Sequence, residues 1–283
     1  APSSGGAIYN RAVDSTSVCS IVLKDVKISG SKAEVGGGIF CGGNAGTCSP
    51  QLTNVLLSGN ETTASGGGIF SIGLDGGTSS PQLTNVVLSG NQAGTSGGGM
   101  YNHAYGGTCS PILTNVTITG NRADINGGGM YNLASSGGSS APEVNNSIIG
   151  NNKDSSGTGF VGANIYNTDV DIRLTSSVLQ GAGSSGLGWI GGSYLDGDGN
   201  IDVDPKFISY VNPNTAPTTD GDLRLEGNSP VIEAGDNTFI AGVLTDLAGE
   251  ARIVDGDGDY SADVDMGAYE YQVYYRYLPL TNH

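Results

Sequence analysis

Apolar and polar residues alternate along much of the chain in short runs that return about every 30 residues. In the first run Leu23, Val26 and Ile28 are apolar while Lys24, Lys27 and Ser29 are polar, which predicts a strand with one face turned inward. The step from 23 to 26 skips two residues instead of one, so a corner is expected at Asp25. Later copies set Leu52, Val55 and Leu57, then Leu83, Val86 and Leu88, then Leu113, Val116 and Ile118 inward, with Asn54, Asn85, Asn115 and Asn146 at the same corner. Asparagine suits that place because it tolerates left-handed backbone and its amide can hydrogen-bond a copy of itself one layer away.

A second string keeps step with the first. Gly36-Gly-Gly-Ile-Phe40 recurs at 66–70, and as Gly-Gly-Gly-Met-Tyr at 97–101 and 127–131, with weaker copies ending at Tyr9 and Tyr166. Ser49-Pro-Gln-Leu-Thr-Asn-Val-Leu-Leu-Ser-Gly-Asn60 returns at 80–91 and 110–121, and more loosely at 20–31, 141–152 and 171–182. The glycines at 30, 59, 90, 120, 150 and 181 predict a further corner after each strand. One repeat is then three short strands and three bends, which closes one turn of a parallel β-helix.

Composition agrees with this and locates the charge. Of 283 residues 49 are glycine, too many for a helical domain, because each interior glycine costs a helix about 1 kcal/mol. The formal charge is −16, of which −13 falls on residues 196–265 and only −3 on residues 1–195. So acidic a chain argues against a nucleic-acid partner and an anionic membrane surface. No apolar stretch approaches the roughly 18 to 20 residues of a membrane span. The opening Ala1-Pro2, without a basic start or apolar leader, suggests a processed, secreted protein, extracellular or at a cell surface.

The Gly-Gly-x-Ile strings resemble those of the right-handed parallel β-helix family of secreted bacterial proteins, which includes pectate-lyase-like folds and polymorphic outer-membrane repeats. The resemblance covers roughly residues 1–182. The segments 199–205, 222–225, 229–236 and 264–270 are similar to the C-terminal part of β-helix proteins with a choice-of-anchor domain. The resemblance implies an all-β, right-handed parallel β-helix with about 30 residues per coil, and secretion, but says little about activity. The chain divides into regular coils over 1–195, an acidic C-terminal β-helix or capping region over 196–268, and a tyrosine-rich strand or tail over 269–283.

Stacked repeats turn each position into a column. With Ile8, Ile39, Ile69, Met100, Met130 and Ile165 inward, their neighbours Tyr9, Phe40, Phe70, Tyr101, Tyr131 and Tyr166 form an aromatic column outside. It reads as a strand-stabilising ladder, or as a contact surface for sugar rings or another chain. A second outward column, Leu56, Val87, Thr117, Ile148 and Val178, is more apolar than a solvated face needs, and calls for a covering loop or a partner.

Two aspartate-rich runs make calcium the candidate cofactor. Asp196, Asp198, Asn200, Asp202 and Asp204, and then Asp255, Asp257, Asp259 and Asp263, present oxygens at alternate positions, as a hard cation needing six to eight oxygens requires. Neither run is a full calcium loop: Ile201 and Tyr260 stand where a tight bend wants glycine, and no glutamate closes either run. Solvated acidic turns are the alternative. Among the four cysteines, Cys19 and Cys48 share a column one coil apart and are the candidate disulfide. Cys41 to Cys48 competes, and free core thiols are a third possibility. Cys109 lies two coils from Cys48, roughly 9.6 Å from the repeat rise, too far to pair.

Polysaccharide cleavage on this fold needs clustered aspartates with a basic residue nearby, or an acidic pair flanking the scissile bond. The coils offer isolated Arg122 and Arg173, Asp124 without an acidic neighbour, and a lone His103, so a lyase or hydrolase is disfavoured. The ends say more, because a solenoid's terminal coil is a template for pairing. The first Gly-Gly-Ala-Ile-Tyr string leaves no room before it for a cap, while the chain closes on a strand-prone segment containing Tyr271, Val273, Tyr275, Tyr277 and Leu278. The leading expectation is an extracellular structural subunit joining its own copies head to tail, the C-terminal region or its tyrosine-rich strand covering the next first coil. The alternative is a monomeric adhesin or carbohydrate-binding surface protein whose tail docks on its own solenoid or is an anchoring signal.

Overall fold

The computed structural model describes residues 4–240, 242–256, 258 and 260–273. Residues 4–201 wind into a parallel β-solenoid of about six turns, as the repeat predicts. Its ladder sheet stacks Ile8–Ala12, Ile39–Asn44, Ile69–Leu74, Met100–Tyr105, Met130–Ser135 and Ile165–Thr168 in sequence order. A second, longer sheet runs from Val22–Ser29 through Gln51–Ser58, Gln82–Ser89 and Ile112–Thr119 to Glu143–Asn145, Ile172–Thr175 and Tyr194–Asp196. A third is built of two-residue strands from Lys32–Ala33 to Lys153–Asp154.

Register keeps like over like. Leu23, Leu52, Leu83, Leu113, Val144 and Leu174 form one inward column. Those from Leu52 onward are buried with Ile39, Ile69, Met100 and Met130 in one continuous core. The corner falls where the skipped alternation places it: Asp25, Asn54, Asn85, Asn115 and Asn146 have φ of 55°, 54°, 52°, 55° and 47°. In the first three layers the corner side chains pair, Asn54 Nδ2 donating to Asp25 Oδ1 at 2.9 Å and Asn85 Nδ2 to Asn54 Oδ1 at 3.1 Å, while the Asn146 amide bonds the Asp236 backbone. The glycine corners hold at 30, 59, 90, 120 and 181, but in the fifth coil the left-handed residue is Asn151 and Gly150 ends a strand.

A second asparagine ladder runs through the core itself. Asn60, Asn91, Asn121 and Asn152 are fully buried, and each donates Nδ2 to the Oδ1 of the next at 2.9–3.0 Å; Asn152 donates to Asn164 at 3.1 Å. The same oxygens accept backbone N–H groups of the preceding layer, and the Nδ2 groups also reach carbonyls such as Ile28 and Leu57. The buried amides of this ladder are thereby satisfied.

The acidic region folds back against its own solenoid. Val87, Ile148 and Val178 are sealed beneath Phe207, Val211, Leu223, Leu225, Val231, Met266 and Ala268 in a second core. The apolar outward column is thus covered by the chain itself. Thr117 fits this apolar seam because its Oγ1 accepts the Ala268 N–H at 3.0 Å. Lys27 holds the same position in the first coil and is exposed, so the apolar column stops one coil short of the end. At the glycine corner the layer comes closer still: the Thr218 N–H donates to the Gly90 carbonyl at 2.9 Å, and a Cβ on Gly90 would overlap the Thr218 carbonyl.

Candidate functional site

The two ends of the solenoid differ. At the last coil Trp189 and Tyr194 pack onto the core, tied down by Trp189 Nε1 donating to the Tyr194 carbonyl at 2.6 Å and the Tyr194 hydroxyl to the Ile165 carbonyl at 2.7 Å. At the first coil Ile8, Cys19, Leu23 and Val26 are only half-buried, although their counterparts deeper in the stack are buried. Val18 and Val22 beside them are 75% and 70% exposed. Strands Ile8–Ala12, Val22–Ser29 and Lys32–Ala33 each end their sheet, leaving one side of each unpaired among the described residues. An apolar, unpaired parallel edge is a template for another strand.

The aromatic column lies outside, as its register requires. Successive rings from Tyr9 through Phe40, Phe70, Tyr101 and Tyr131 to Tyr166 stand 5.0–5.5 Å apart at interplanar angles of 1–11°. The faces of the four inner rings, Phe40, Phe70, Tyr101 and Tyr131, are therefore taken up by their neighbours. Tyr9 and Tyr166, at the two ends of the column, are each stacked on one side only and are exposed. Burial, and then the neighbouring Tyr131, push the Tyr101 hydroxyl up to about 12. His103 stands edge-on to Tyr101 at 6.1 Å with Nε2 against Ser135 Oγ at 2.8 Å, and burial lowers its basicity.

The first acidic run works as a tether. Asp196 Oδ1 accepts the Ser185 hydroxyl at 2.7 Å, the Asn200 amide at 2.8 Å and the Asp198 N–H at 3.1 Å, and its Oδ2 accepts the Gly186 N–H at 2.9 Å. Burial opposes its charge, but these bonds together hold Asp196 below the usual carboxylate range. Asp202 accepts the N–H groups of Gly181 and Gly183 at 3.1 and 3.0 Å, while Asn200 is buried and bonded to Leu174 and Ser177. Asp198 takes the left-handed turn between them. In the second run Asp255 accepts from the Gly258 and Tyr260 N–H groups and Asp263 from Asn237; Asp257 and Asp259 lie outside the described residues. Among the described residues no three His, Cys, Asp or Glu side chains are grouped to hold a metal.

All four cysteines are free thiols, so the expected Cys19–Cys48 bridge is not formed here. Cys48 Sγ donates instead to the Asn10 carbonyl at 3.3 Å and the Cys19 carbonyl at 3.6 Å. Contact with Cys41 and then burial push the Cys48 thiol up, and burial with the neighbouring Cys48 pushes Cys19 up to about 12. Cys109 sits apart, its Sγ 3.4 Å from Ser71 Oγ. Arg122, expected to be isolated, pairs with Asp124 at 3.0 Å.

Sequence reasoning missed a buried ionic cluster that fastens the C-terminal layer. Arg252 donates to Glu270 Oε2 at 3.0 Å, and its Nη2 reaches both Asn85 Oδ1 and the Gly267 carbonyl at 2.9 Å. Asp265 accepts the Glu233 and Tyr271 N–H groups, and Asp246 accepts the Glu270 N–H. Burial, followed by the Glu270 charge, pushes Asp265 up to about 8. Tyr271, expected at an interface, packs within this layer against the second core; Val273 is half-buried, and Tyr275, Tyr277 and Leu278 lie outside the described residues.

Comparison with protein-family models, with curated proteins and with solved structures finds no match to this chain.

Proposed function

We propose that the protein is an extracellular structural subunit whose copies join end to end through the open first coil. The observation that carries this reading is the first coil, which presents half-buried core residues and exposed Val18 and Val22 along strands that end their sheets; at the last coil, where Ile165–Thr168 and Tyr194–Asp196 also end their sheets, Trp189 and Tyr194 pack onto the core. Phe207, Val211, Leu223, Leu225, Val231, Met266 and Ala268 cover their own solenoid. The tyrosine-rich sequence continues over residues 274–283, and this is the segment proposed to pair with the first coil of a neighbouring copy. A heterologous contact of this kind repeats without closing and builds a filament. The resemblance of the Gly-Gly-x-Ile strings to secreted bacterial β-helix proteins supports an extracellular setting.

Electron microscopy of the full chain beside a variant ending at residue 273 tests this. Filaments from the full chain and none from the truncation are the expected result. Filaments from both would remove the tail from the joint, and dispersed particles from both would overturn assembly altogether.

A further inference from the structure

Two inward positions face each other across the bend that follows each ladder strand. Asn10, Cys41 and Ser71 hold the first in consecutive register; Cys19, Cys48 and Ser79 hold the second, each next to a residue of the paired row Val18, Thr47 and Thr78. In the third coil the two side chains meet, with Ser71 Oγ 2.8 Å from Ser79 Oγ. The second coil sets the Cys41 and Cys48 thiols at these same places, and Cys48 is in side-chain contact with both Cys41 and Cys19.

The three thiols differ in what can reach them. Cys41 and Cys48 are fully buried, so no reagent in solution touches either. Cys19 is half-buried at the head of its column, and among the described residues no strand pairs beyond its layer. The two bonds open to Cys48 differ as well. Neighbours in register on parallel strands stand about 4.8 Å apart, wider than the roughly 3.5–4.5 Å between the Cβ atoms of a disulfide. Across the bend, the equivalent Ser71 and Ser79 oxygens of the next coil already touch. A bond from Cys48 is therefore more strained to Cys19 than to Cys41.

We propose that these cysteines form a relay that carries oxidation from the surface into the core and ends in a Cys41–Cys48 disulfide, the oxidant being a small soluble disulfide. The Cys19 thiolate attacks one sulfur of the oxidant, bonds to it and releases the other half as a thiol. Cys48 then attacks the Cys19 sulfur, forming Cys19–Cys48 and releasing the second half. Cys41 attacks the Cys48 sulfur, and Cys19 leaves, takes up a proton and is a free thiol again. The net change is one oxidant disulfide reduced to two thiols while two protein thiols are joined. Exchange through thiols of raised pKa, such as Cys19 and Cys48, is slow, and the product resists reduction because such thiolates are poor leaving groups. The relay is complete within one copy of the chain and does not rest on assembly.

Hydroxyethyl disulfide, added to the full chain diluted until it sediments as single copies, tests the relay, with thiol titration giving the rate and peptide mass mapping the bond. The wild type is expected to lose two of its four thiols and to end with Cys41 joined to Cys48. Ser71 and Ser79 occupy the same two positions one coil on, so Cys41→Ser and Cys48→Ser keep the fold. Cys41→Ser should stop at the Cys19–Cys48 bond, and Cys48→Ser at a mixed disulfide on Cys19. Cys19→Ser should oxidise at least about tenfold more slowly than the wild type, because its remaining pair is out of the reagent's reach. A wild-type product other than Cys41–Cys48, no oxidation at all, or a Cys19→Ser variant as fast as the wild type would overturn the proposal.

Discussion

The Arg252 guanidinium meets the Glu270 carboxylate at 3.0 Å with both side chains fully buried, and the same guanidinium reaches Asn85 in the corner ladder of the solenoid. One cation thus joins the end of the C-terminal layer to the third coil, 167 residues earlier in the chain. Removing one partner of such a pair leaves the other charge buried and uncompensated, at a cost of about 3–5 kcal/mol. Arg252→Ala should therefore loosen residues 196–273 while the coils stay folded. Hydrogen exchange would show protection lost in the layer and kept at Leu83, Leu113 and Met100; uniform loss or no loss would contradict this.

The neighbouring Asp265 gives the layer a pH dependence. Its folded pKa, pushed up to about 8, lies above the value of about 3.9 expected in the unfolded chain. The folded state then holds this proton more tightly, so the contribution of Asp265 to stability is fully present below about pH 4, falls as pH rises to about 8, and levels off beyond. Urea unfolding between pH 5 and pH 9 should show this decline in the wild type and a flatter profile in Asp265→Asn.

Two glycines with left-handed backbone allow a paired comparison. Gly76 has φ of 81° with open space for 4 Å around the place a Cβ would take, whereas at Gly90, with φ of 58°, a Cβ would meet the Thr218 carbonyl. Gly76→Ala should cost about 1 kcal/mol, the conformational penalty alone. Gly90→Ala should cost more and should speed exchange of the Thr218 amide, which bonds to the Gly90 carbonyl. Equal effects of the two in thermal unfolding would argue against close docking at the Gly90 corner.

Asn121 sits in the middle of the buried amide ladder, accepting from Asn91 and donating to Asn152. Asn121→Ala leaves the Asn91 amide without that acceptor, and each buried polar group left unpaired costs about 1–3 kcal/mol. A lowered melting temperature is expected, larger than that from Asn54→Ala at the part-exposed corner.

Much of the solenoid was legible because repetition aligns the residues that touch. The inward leucine columns, the left-handed corner at Asp25 and Asn54, and the order of rings from Tyr9 to Tyr166 all follow from the period. The amide ladder carried the same signal, since Gly59-Asn60, Gly90-Asn91 and Gly120-Asn121 recur in step, yet the string alone does not say that these asparagines turn inward. Leu56, Val87, Ile148 and Val178 announced a cover, but residues 196–273 have no period to reveal its path. Arg252 and Glu270 are 18 residues apart with no pattern joining them. The aspartate spacing suggested calcium. In the structure Asp196 and Asp202 accept backbone N–H groups of the loop at 181–186, a role that alternation alone does not reveal.

Val18 and Val22 give direct access to the open first coil, since both are exposed. Sedimentation velocity of the full chain against the double variant Val18→Lys, Val22→Lys is the most direct measurement. Concentration-dependent polymers from the wild type and monomers from a variant that melts at the same temperature are predicted. Identical sedimentation of the two proteins, polymeric or monomeric, would contradict the claim that this edge joins copies of the chain.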